Sequence, residues 1–116
     1  MGEYVCIFYE TVEGKSPVEE FIESLDAETQ GKFIIKQQLL QDFGSQLRYP
    51  HTDHLEEGIL ELRFKGKEGQ IRVLFFFFYG KRIIFTHGFV KKTQKTPQKE
   101  ITLAQERRKD FLTRNK

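Results

Sequence analysis

The chain has 116 residues, of which 38% are hydrophobic and 31% are charged, and its formal net charge is +2. This length allows one domain, residues 1–116, with a single core, and the composition excludes a disordered chain. The longest apolar run, Val73–Tyr79, is far too short to span a bilayer. The single cysteine, Cys6, excludes an intramolecular disulfide and we expect it in the core. Without a visible signal peptide, we expect a cytoplasmic protein with no membrane partner.

The charge is unevenly distributed along the chain. Residues 1–80 hold 8 Lys or Arg against 14 Asp or Glu, a net charge of −6. Residues 81–116 hold 11 against 3, a net charge of +8. This asymmetry predicts a face that binds a polyanion, although basic residues that solubilise a helix would also explain it.

The N-terminal third predicts one strand and a helical hairpin. Tyr4–Tyr9 resembles a strand that joins the sheet. Ser16–Glu19 is a capping box with the favoured proline, so it begins a short amphipathic helix. Asp26 can cap a second helix over Ala27–Phe43, which Gly44 would end. The predicted core stripe of the second helix is Phe33, Lys36, Leu40 and Phe43, widened by Leu39 and Ile35.

Residues 46–58 are predicted to be irregular, because Pro50 and Gly58 interrupt any periodic pattern. The segment contains two histidines and an aspartate within four residues, at positions 51–54. Further ligands for a metal are missing nearby, since the third histidine, His87, is predicted on a distant strand. We therefore expect a polar loop near the open sheet face rather than a metal site, with an imidazole available for proton transfer.

The chain is organised around three predicted antiparallel strands. They are Ile59–Lys65, Gln70–Tyr79 and Arg82–Lys91. The first connection is the four-residue turn Gly66–Gly69. The second is the two-residue turn Gly80–Lys81, which places Tyr79 opposite Arg82.

These connections fix the register of the strands. Arg63 then lies opposite Arg72, and Arg72 lies opposite Phe89, so the three form a row on one exposed sheet face. Alternation places Lys91 on the same face, two residues beyond Phe89, and Lys92 on the other. The predicted core on the opposite face is Leu60, Leu62, Phe64, Ile71, Val73, Phe75, Phe77, Ile84 and Val90.

Two arginines directly opposite each other are unfavourable for folding. A polyanionic ligand would explain them, and Phe89 beside them would give a nucleic-acid base a ring on which to stack. Alternatively, one or both arginines pair with Glu61 or another carboxylate and solvate an open sheet face. Both interpretations remain open from the residues alone.

The last strand runs into a basic segment, Lys91–Pro97. Thr96 can cap a third helix that Pro97 begins and that ends near Leu112. The predicted fold is α+β, with an antiparallel sheet of about four strands, an N-terminal helical hairpin on one face and a C-terminal helix.

Three stretches resemble a known family. They are SPVEEFIESL at 16–25, GILELRFKGKEGQIRVLFFFFYGKRIIFTHGFVKKTQKTP at 58–97, and a terminal helix rich in Glu, Arg and Lys. They resemble the phage-derived, HigB-like branch of the RelE toxin superfamily over nearly the whole chain. The resemblance implies a RelE-like fold and the toxin of a type II toxin–antitoxin system. Such toxins are endoribonucleases that cut mRNA, usually in the ribosomal A site, and their antitoxins usually carry a helix-turn-helix motif.

The resemblance also implies roles for particular residues. Arg63 and Arg72 look like the phosphate-binding arginines of that family, and Phe89, Lys91, Lys92 and Lys95 lie in the segment that forms the rest of its cleft. Together with the chemistry of the residues themselves, this leads us to expect catalytic roles for Arg63, Arg72, Lys91 and Lys95 and RNA binding by Phe89, Lys92 and His54, with no metal and no cofactor. Phe111 stands where some relatives have a tyrosine, and the clustered Asp and His of some HigB-type members are missing. The general acid and base are therefore unassigned.

The implied reaction is attack of the ribose 2′-oxygen on the adjacent phosphate, which gives a 2′,3′-cyclic phosphate and a 5′-hydroxyl. Arg63 and Arg72 would stabilise charge on the phosphate. Neighbouring cations would lower the pKa of Lys91 or Lys95 toward a useful range. The alternative is a non-catalytic RNA- or antitoxin-binding module of a mobile element.

Overall fold

The computed structural model describes residues 2–115; Met1 and Lys116, the ends of the predicted domain, lie outside the described residues. The described elements are β1 (Val5–Phe8), α1 (Pro17–Glu23), α2 (Ala27–Phe43), β2 (Thr52–His54), β3 (Leu60–Gly66), β4 (Gly69–Phe78), β5 (Arg82–Lys91) and α3 (Gln98–Arg114). A 3₁₀ turn at Gly44–Gln46 follows α2. Within residues 2–115, no helix is both long and apolar enough to cross a membrane.

The strands form one sheet in the order β1-β5-β4-β3-β2. β1 pairs parallel with β5, and the other neighbours pair antiparallel. The predicted α+β fold is confirmed, with two corrections. The sheet has five strands because residues 52–54 of the supposed irregular segment pair with β3, and the sheet is mixed rather than wholly antiparallel. Three paired residues are too few for alternation to reveal a strand.

The helical hairpin forms as its caps predict. The Ser16 side chain accepts a hydrogen bond from the Glu19 N–H at 3.3 Å, and that of Asp26 from the Glu28 N–H at 3.0 Å. The predicted stripe of α2 is wrong at its last member, Phe43, which is 50% exposed, and at Ile35, one of the residues predicted to widen it, which is 63% exposed. These side chains lie outside the narrow strip that the sheet covers.

The larger core lies between the sheet and the helical hairpin. Phe33 of α2 occupies its middle, with ring centroids 5.8–6.3 Å from those of Phe8, Phe64 and Phe85. The buried members are Val18, Leu25, Phe33, Leu40, Leu60, Leu62, Phe64, Ile71, Val73, Phe75, Ile83 and Phe85. Cys6 packs against this core, and its burial raises the pKa of the thiol to about 12.

A second, smaller core lies on the opposite face, under α3. Its buried members are Tyr9, Ile59, Leu74, Phe76, Ile84 and Ala104. Ile84 was predicted on the hairpin side, and that prediction is wrong. The helix α3 thus covers part of the face that carries the arginines, and only the rest of that face is open.

The error at Ile84 arises in the turn between β4 and β5. Phe78, not Tyr79, lies opposite Arg82, so the turn has three residues, and φ is positive at Gly80 (75°) and Lys81 (56°). A β-bulge after Leu74 then restores the register, because Leu74 pairs with His87 whereas Phe75 pairs with Phe85. The two deviations cancel at the row of interest, and the predicted pairing of Arg72 with Phe89 is confirmed.

The glycine that ends α2, Gly44, provides a stability test of the way in which that helix ends against Tyr4. Gly44 has φ 53° and ψ −126°, and a Cβ there would lie 2.0 Å from the Tyr4 ring. We expect Gly44→Ala to lower the free energy of unfolding by about 1–3 kcal/mol from backbone strain alone. Gly31→Ala, in α2, meets nothing within 4 Å and should raise it by about 0.5–1 kcal/mol. Urea denaturation of both variants checks the contrast, and equal effects would contradict the described end of α2.

Candidate nucleic-acid interface

The predicted arginine row is present. Arg63 pairs with Arg72 across β3 and β4, and Arg72 pairs with Phe89 across β4 and β5. The turn after β3 holds this register, because the Glu68 carboxylate accepts hydrogen bonds from the Asp26 N–H (2.6 Å) and the Thr29 hydroxyl (2.8 Å). The tip of the hairpin is thereby fixed to the start of α2.

Burial of the row differs from the prediction. The side chain of Arg72 is only 3% exposed and that of Arg63 is 19% exposed. The expectation of an exposed Arg72 is therefore wrong, since α3 and the segment after β5 cover much of this face. Neither arginine lies among the N-terminal helices: both remain on the face opposite to Leu62 and Val73, which belong to the larger core.

Glu61 is the counterion of the pair. Its side chain is 3% exposed, and its Oε2 accepts a hydrogen bond from Arg63 Nη1 at 2.7 Å and lies 3.6 Å from Arg72 Nε. Its Oε1 accepts a hydrogen bond from the Thr96 hydroxyl. Thr96 was predicted to cap α3; instead it joins the segment after β5 to Glu61, and α3 begins at Gln98 without a side-chain cap.

The arginines keep unused hydrogen-bonding capacity. Arg72 Nη1 donates to the Ile71 carbonyl at 2.9 Å, but the buried Nε atoms of both Arg63 and Arg72 have no hydrogen-bond partner. Burial, and then the charge of Arg63, lower the pKa of Arg72, against the opposing effect of Glu61. Among residues 2–115, the only buried carboxylate beside the two arginines is Glu61, since Asp53, 3.9 Å from Arg63 Nη1, is 48% exposed. Glu61 alone does not neutralise the pair.

An open cleft of about 780 Å³, the basic cleft, lies over the row. Its lining residues are Arg63, Gln70, Arg72, Lys91, Lys92, Thr93 and Gln94. Lys92 was predicted on the other face, but β5 ends at Lys91, so alternation stops there and both lysines line the cleft. Burial, and then the charge of Arg72, lower the pKa of Lys91, whose Nζ donates to the Gln94 carbonyl at 2.9 Å.

Lys95 and His54 line a neighbouring cleft of about 440 Å³, the mixed cleft. It contains three carboxylates, those of Asp53, Glu56 and Glu61, besides Arg63 and Lys91. The predicted site residues therefore fall into two groups that share only Arg63 and Lys91. The carboxylates make the mixed cleft the poorer place for a phosphate.

A third cleft of about 240 Å³, the edge cleft, lies on the other side of the arginine pair, and the sequence did not reveal it. Its lining residues are Lys36, Pro50, Arg63, Phe64, Lys65, Gln70 and Arg72. It exists because β2 pairs only with Leu60–Leu62, which leaves the rest of β3 without a strand on the side away from β4. Beside it the Tyr49 ring, 67% exposed, lies against Arg63, whose Cζ is 4.9 Å from the ring centroid.

Phe89 lies in the row but borders none of these three clefts. Its ring stacks on that of His87, with centroids 5.9 Å apart, and packs against the smaller core. His87 Nε2 lies 3.0 Å from a Glu100 oxygen and Nδ1 lies 3.1 Å from the Thr86 hydroxyl, which joins β5 to α3. Burial lowers the pKa of His87.

The two histidines of residues 51–54 have different surroundings. His51 Nδ1 accepts a hydrogen bond from Lys36 Nζ at 2.8 Å, and His54 is exposed. Within residues 2–115, no group of three or more His, Cys, Asp or Glu side chains is placed to hold a metal ion.

The chain was compared with known proteins. Residues 20–109, most of the chain and including the whole arginine row, match the family described as phage-derived protein Gp49-like (DUF891). That family is one of candidate toxins of toxin–antitoxin systems. No curated protein matches the chain.

Glu61 generates a stability prediction. Glu61→Gln keeps the shape of the side chain but leaves Arg72 buried without a counterion, so we expect the free energy of unfolding to fall by about 3–5 kcal/mol. Asp53→Asn is the matched control: its carboxylate is 48% exposed and lies 3.9 Å from Arg63 Nη1, so its loss should cost about 1 kcal/mol or less. Chemical denaturation measures both, and similar losses would show that Glu61 does not compensate the arginines.

Proposed function

The chain belongs to the phage-derived Gp49-like family, and from this premise we propose that it is the toxin of a type II toxin–antitoxin system. Its proposed activity is that of a RelE/HigB-type, metal-independent endoribonuclease that cuts mRNA. The observation that supports this most is the basic cleft, where four cations, Arg63, Arg72, Lys91 and Lys92, converge and no carboxylate is among the lining residues.

Phosphate chemistry fits the basic cleft better than other anion chemistry does. Guanidinium groups make forked hydrogen bonds to phosphate, and the two arginines are side by side in adjacent strands. A phosphate that approached them would offer acceptors to cations that Glu61 only partly compensates. The arginines are therefore assigned to the scissile phosphate, whose negative charge increases in the transition state.

Lys91 is the best placed group for proton transfer in the basic cleft. It lies on β5 at the end of the row. Because its pKa is lowered, the amine becomes neutral at a pH closer to 7 than an ordinary lysine does. In the proposed step, a base takes the proton of the ribose 2′-hydroxyl, the 2′-oxygen bonds to phosphorus, and the bond to the 5′-oxygen breaks as an acid protonates it. We assign the base to Lys91.

Lys95 and His54 reach the substrate from the mixed cleft. We retain Lys95 as the candidate acid for the leaving 5′-oxygen and His54 as an RNA contact. Phe89 is assigned a packing role within the row rather than base stacking, because its ring stacks on that of His87. Lys92, exposed at the rim of the basic cleft, is assigned to phosphate binding.

The proposed partners are mRNA, the ribosome and a cognate antitoxin with a helix-turn-helix motif, in the cytoplasm. A ribosome that orients the message would supply positioning that an open cleft does not. One observation favours a second candidate, an RNA- or antitoxin-binding module without catalysis: Arg72 is nearly inaccessible and is held near Glu61. Cleavage of message separates the two, because a binding module retards RNA without cutting it.

The first functional prediction concerns growth. Expression of the chain without a partner should arrest a bacterial host, and primer extension should find new 5′ ends in the message. Lys91→Ala should relieve the arrest, whereas Lys109→Ala, an exposed position of α3, should not. Arg72→Ala is a poor test, since loss of a buried charge also threatens the fold. Arrest by Lys91→Ala at an equal protein level would remove Lys91 from the mechanism.

The second functional prediction separates rate from affinity. Lys91→Ala should lower the single-turnover cleavage rate at saturating RNA by about 10²–10⁴-fold. Lys92→Ala should mainly weaken RNA binding. It should also reduce the salt slope, the dependence of log affinity on log salt concentration, by the amount that corresponds to roughly one phosphate contact. Rate constants measured over a range of salt concentrations distinguish the two roles. Equal rate losses with unchanged salt slopes would contradict the assignment.

The third functional prediction concerns pH. Burial and Arg72 lower the pKa of Lys91 below 10.5, and a base acts in its deprotonated form. The cleavage rate should therefore rise with pH through a midpoint below 10.5, and Lys91→Ala should abolish this rise. A pH–rate profile with the same midpoint in the variant would assign the base elsewhere.

A further inference from the structure

We propose that the edge cleft and the exposed ring of Tyr49 form a second RNA subsite, which holds the nucleotide adjacent to the scissile phosphate. This inference rests on the proposed function, because it takes the scissile phosphate to lie in the basic cleft. It names a base-stacking residue, Tyr49, and two contacts to the RNA backbone, Lys36 and Lys65.

The charge of the edge cleft selects an anion. Its charged lining residues are Lys36, Arg63, Lys65 and Arg72, and no carboxylate is among them. Lys36 donates one hydrogen bond to His51 and keeps two further N–H groups. The contrast with the mixed cleft, which has three carboxylates, identifies the edge cleft as the second place where a phosphate is favoured.

The position of the edge cleft suits the next nucleotide of one strand. It shares Arg63, Gln70 and Arg72 with the basic cleft. Its other lining residues belong to α2, to the segment before β2 and to β3, whereas those of the basic cleft lie at the end of β5 and after it, so the two clefts lie on either side of the arginine pair. A single strand that crosses the pair would place successive backbone groups in the two clefts. The buried Nε atoms of Arg63 and Arg72 have no hydrogen-bond partner, so the pair at this crossing keeps donors that are not used within the protein.

Tyr49 supplies the platform for the base. One face of its ring lies on the Arg63 guanidinium, and the residue as a whole is exposed. The loop that carries it is fixed: the Arg63 N–H donates to the His51 carbonyl at 2.8 Å, and the Thr52 hydroxyl donates to the Leu47 carbonyl at 3.0 Å. The edge cleft, at about 240 Å³, is the smallest of the three, so it suits the backbone while the base stacks outside, on Tyr49.

The test is equilibrium binding of a labelled single-stranded 2′-O-methyl RNA hexamer, which the proposed reaction cannot cleave, to the full chain. We expect Tyr49→Leu to weaken binding by about tenfold and Tyr49→Phe, which keeps the ring, to change it by less than about twofold. Lys65→Met should lower the salt slope by roughly one contact, whereas Lys109→Met, a lysine of similar exposure on α3, should not. Circular dichroism confirms that each variant is folded.

Each outcome bears on the subsite. Binding by Tyr49→Leu that equals the wild type, or salt slopes that are equal for Lys65→Met and Lys109→Met, would overturn it. The proposal is also overturned if an oligoglutamate peptide binds as tightly as RNA and Tyr49→Leu does not weaken that binding. That result would indicate a site for an acidic protein segment instead. Failure of the wild type to bind the hexamer would overturn the proposal as well.

The proposed function is tested separately by cleavage of unmodified message. If Tyr49→Leu and Lys65→Met have the expected effects but no variant or wild-type chain cuts message, the subsite stands and the nuclease proposal fails. If message is cut and the hexamer binds without dependence on Tyr49 or Lys65, the nuclease stands and the subsite fails.

Discussion

The buried carboxylate of Glu61 is the interaction on which this face of the molecule depends. Strand register forces Arg63 and Arg72 together, and burial would make two like charges strongly destabilising without a counterion. Glu61, on the same strand as Arg63, supplies that counterion from inside the sheet. The other oxygen of Glu61 accepts a hydrogen bond from the Thr96 hydroxyl. The same carboxylate therefore also holds the segment after β5 that borders the basic cleft. Arginine position and cleft shape are therefore coupled through one side chain.

Of the two explanations that the sequence left open, the structure confirms the pairing with a carboxylate, and the proposed function adds the polyanion. The arginines do pair with a carboxylate, as a structural role requires, yet the pairing is incomplete: Nε of each arginine is buried without a hydrogen-bond partner. A fully satisfied network would rigidify the sheet and have little to offer a ligand. A partly satisfied one keeps positive charge and free donors next to an open cleft. In the proposed function, the stability of the fold and the binding of an anion therefore depend on the same two guanidinium groups.

Much of this could be predicted, and the successes have physical reasons. The caps of α1 and α2 are local signals, and so are the glycines of the turn and the alternation of β3 and β4, which placed Arg63 opposite Arg72. The turn has two residues, Lys67 and Glu68, rather than the predicted four, because Gly66 and Gly69 pair with each other, and this difference leaves the register unchanged. The pairing of Arg72 with Phe89 was also right, but only because a turn longer by one residue and a bulge after Leu74 offset each other. Ile84 lies between the turn and the bulge, and its predicted face was wrong for that reason. Bulges leave no periodic signal, so no reading of alternation would have corrected it.

The clefts could not be predicted from the sequence, because each depends on which neighbouring strand or cap is missing. The edge cleft is present because β2 stops at three residues, and the mixed cleft because Thr96 bends toward Glu61 instead of capping α3. Lys36 was assigned to a core stripe, but the same helix geometry turns its ammonium toward His51 and the open edge of β3. Tyr49 carried no pattern at all, being one aromatic residue in an irregular segment. Its position against Arg63 follows from long-range packing, and it places an aromatic ring beside the arginine pair, as the proposed second RNA subsite requires.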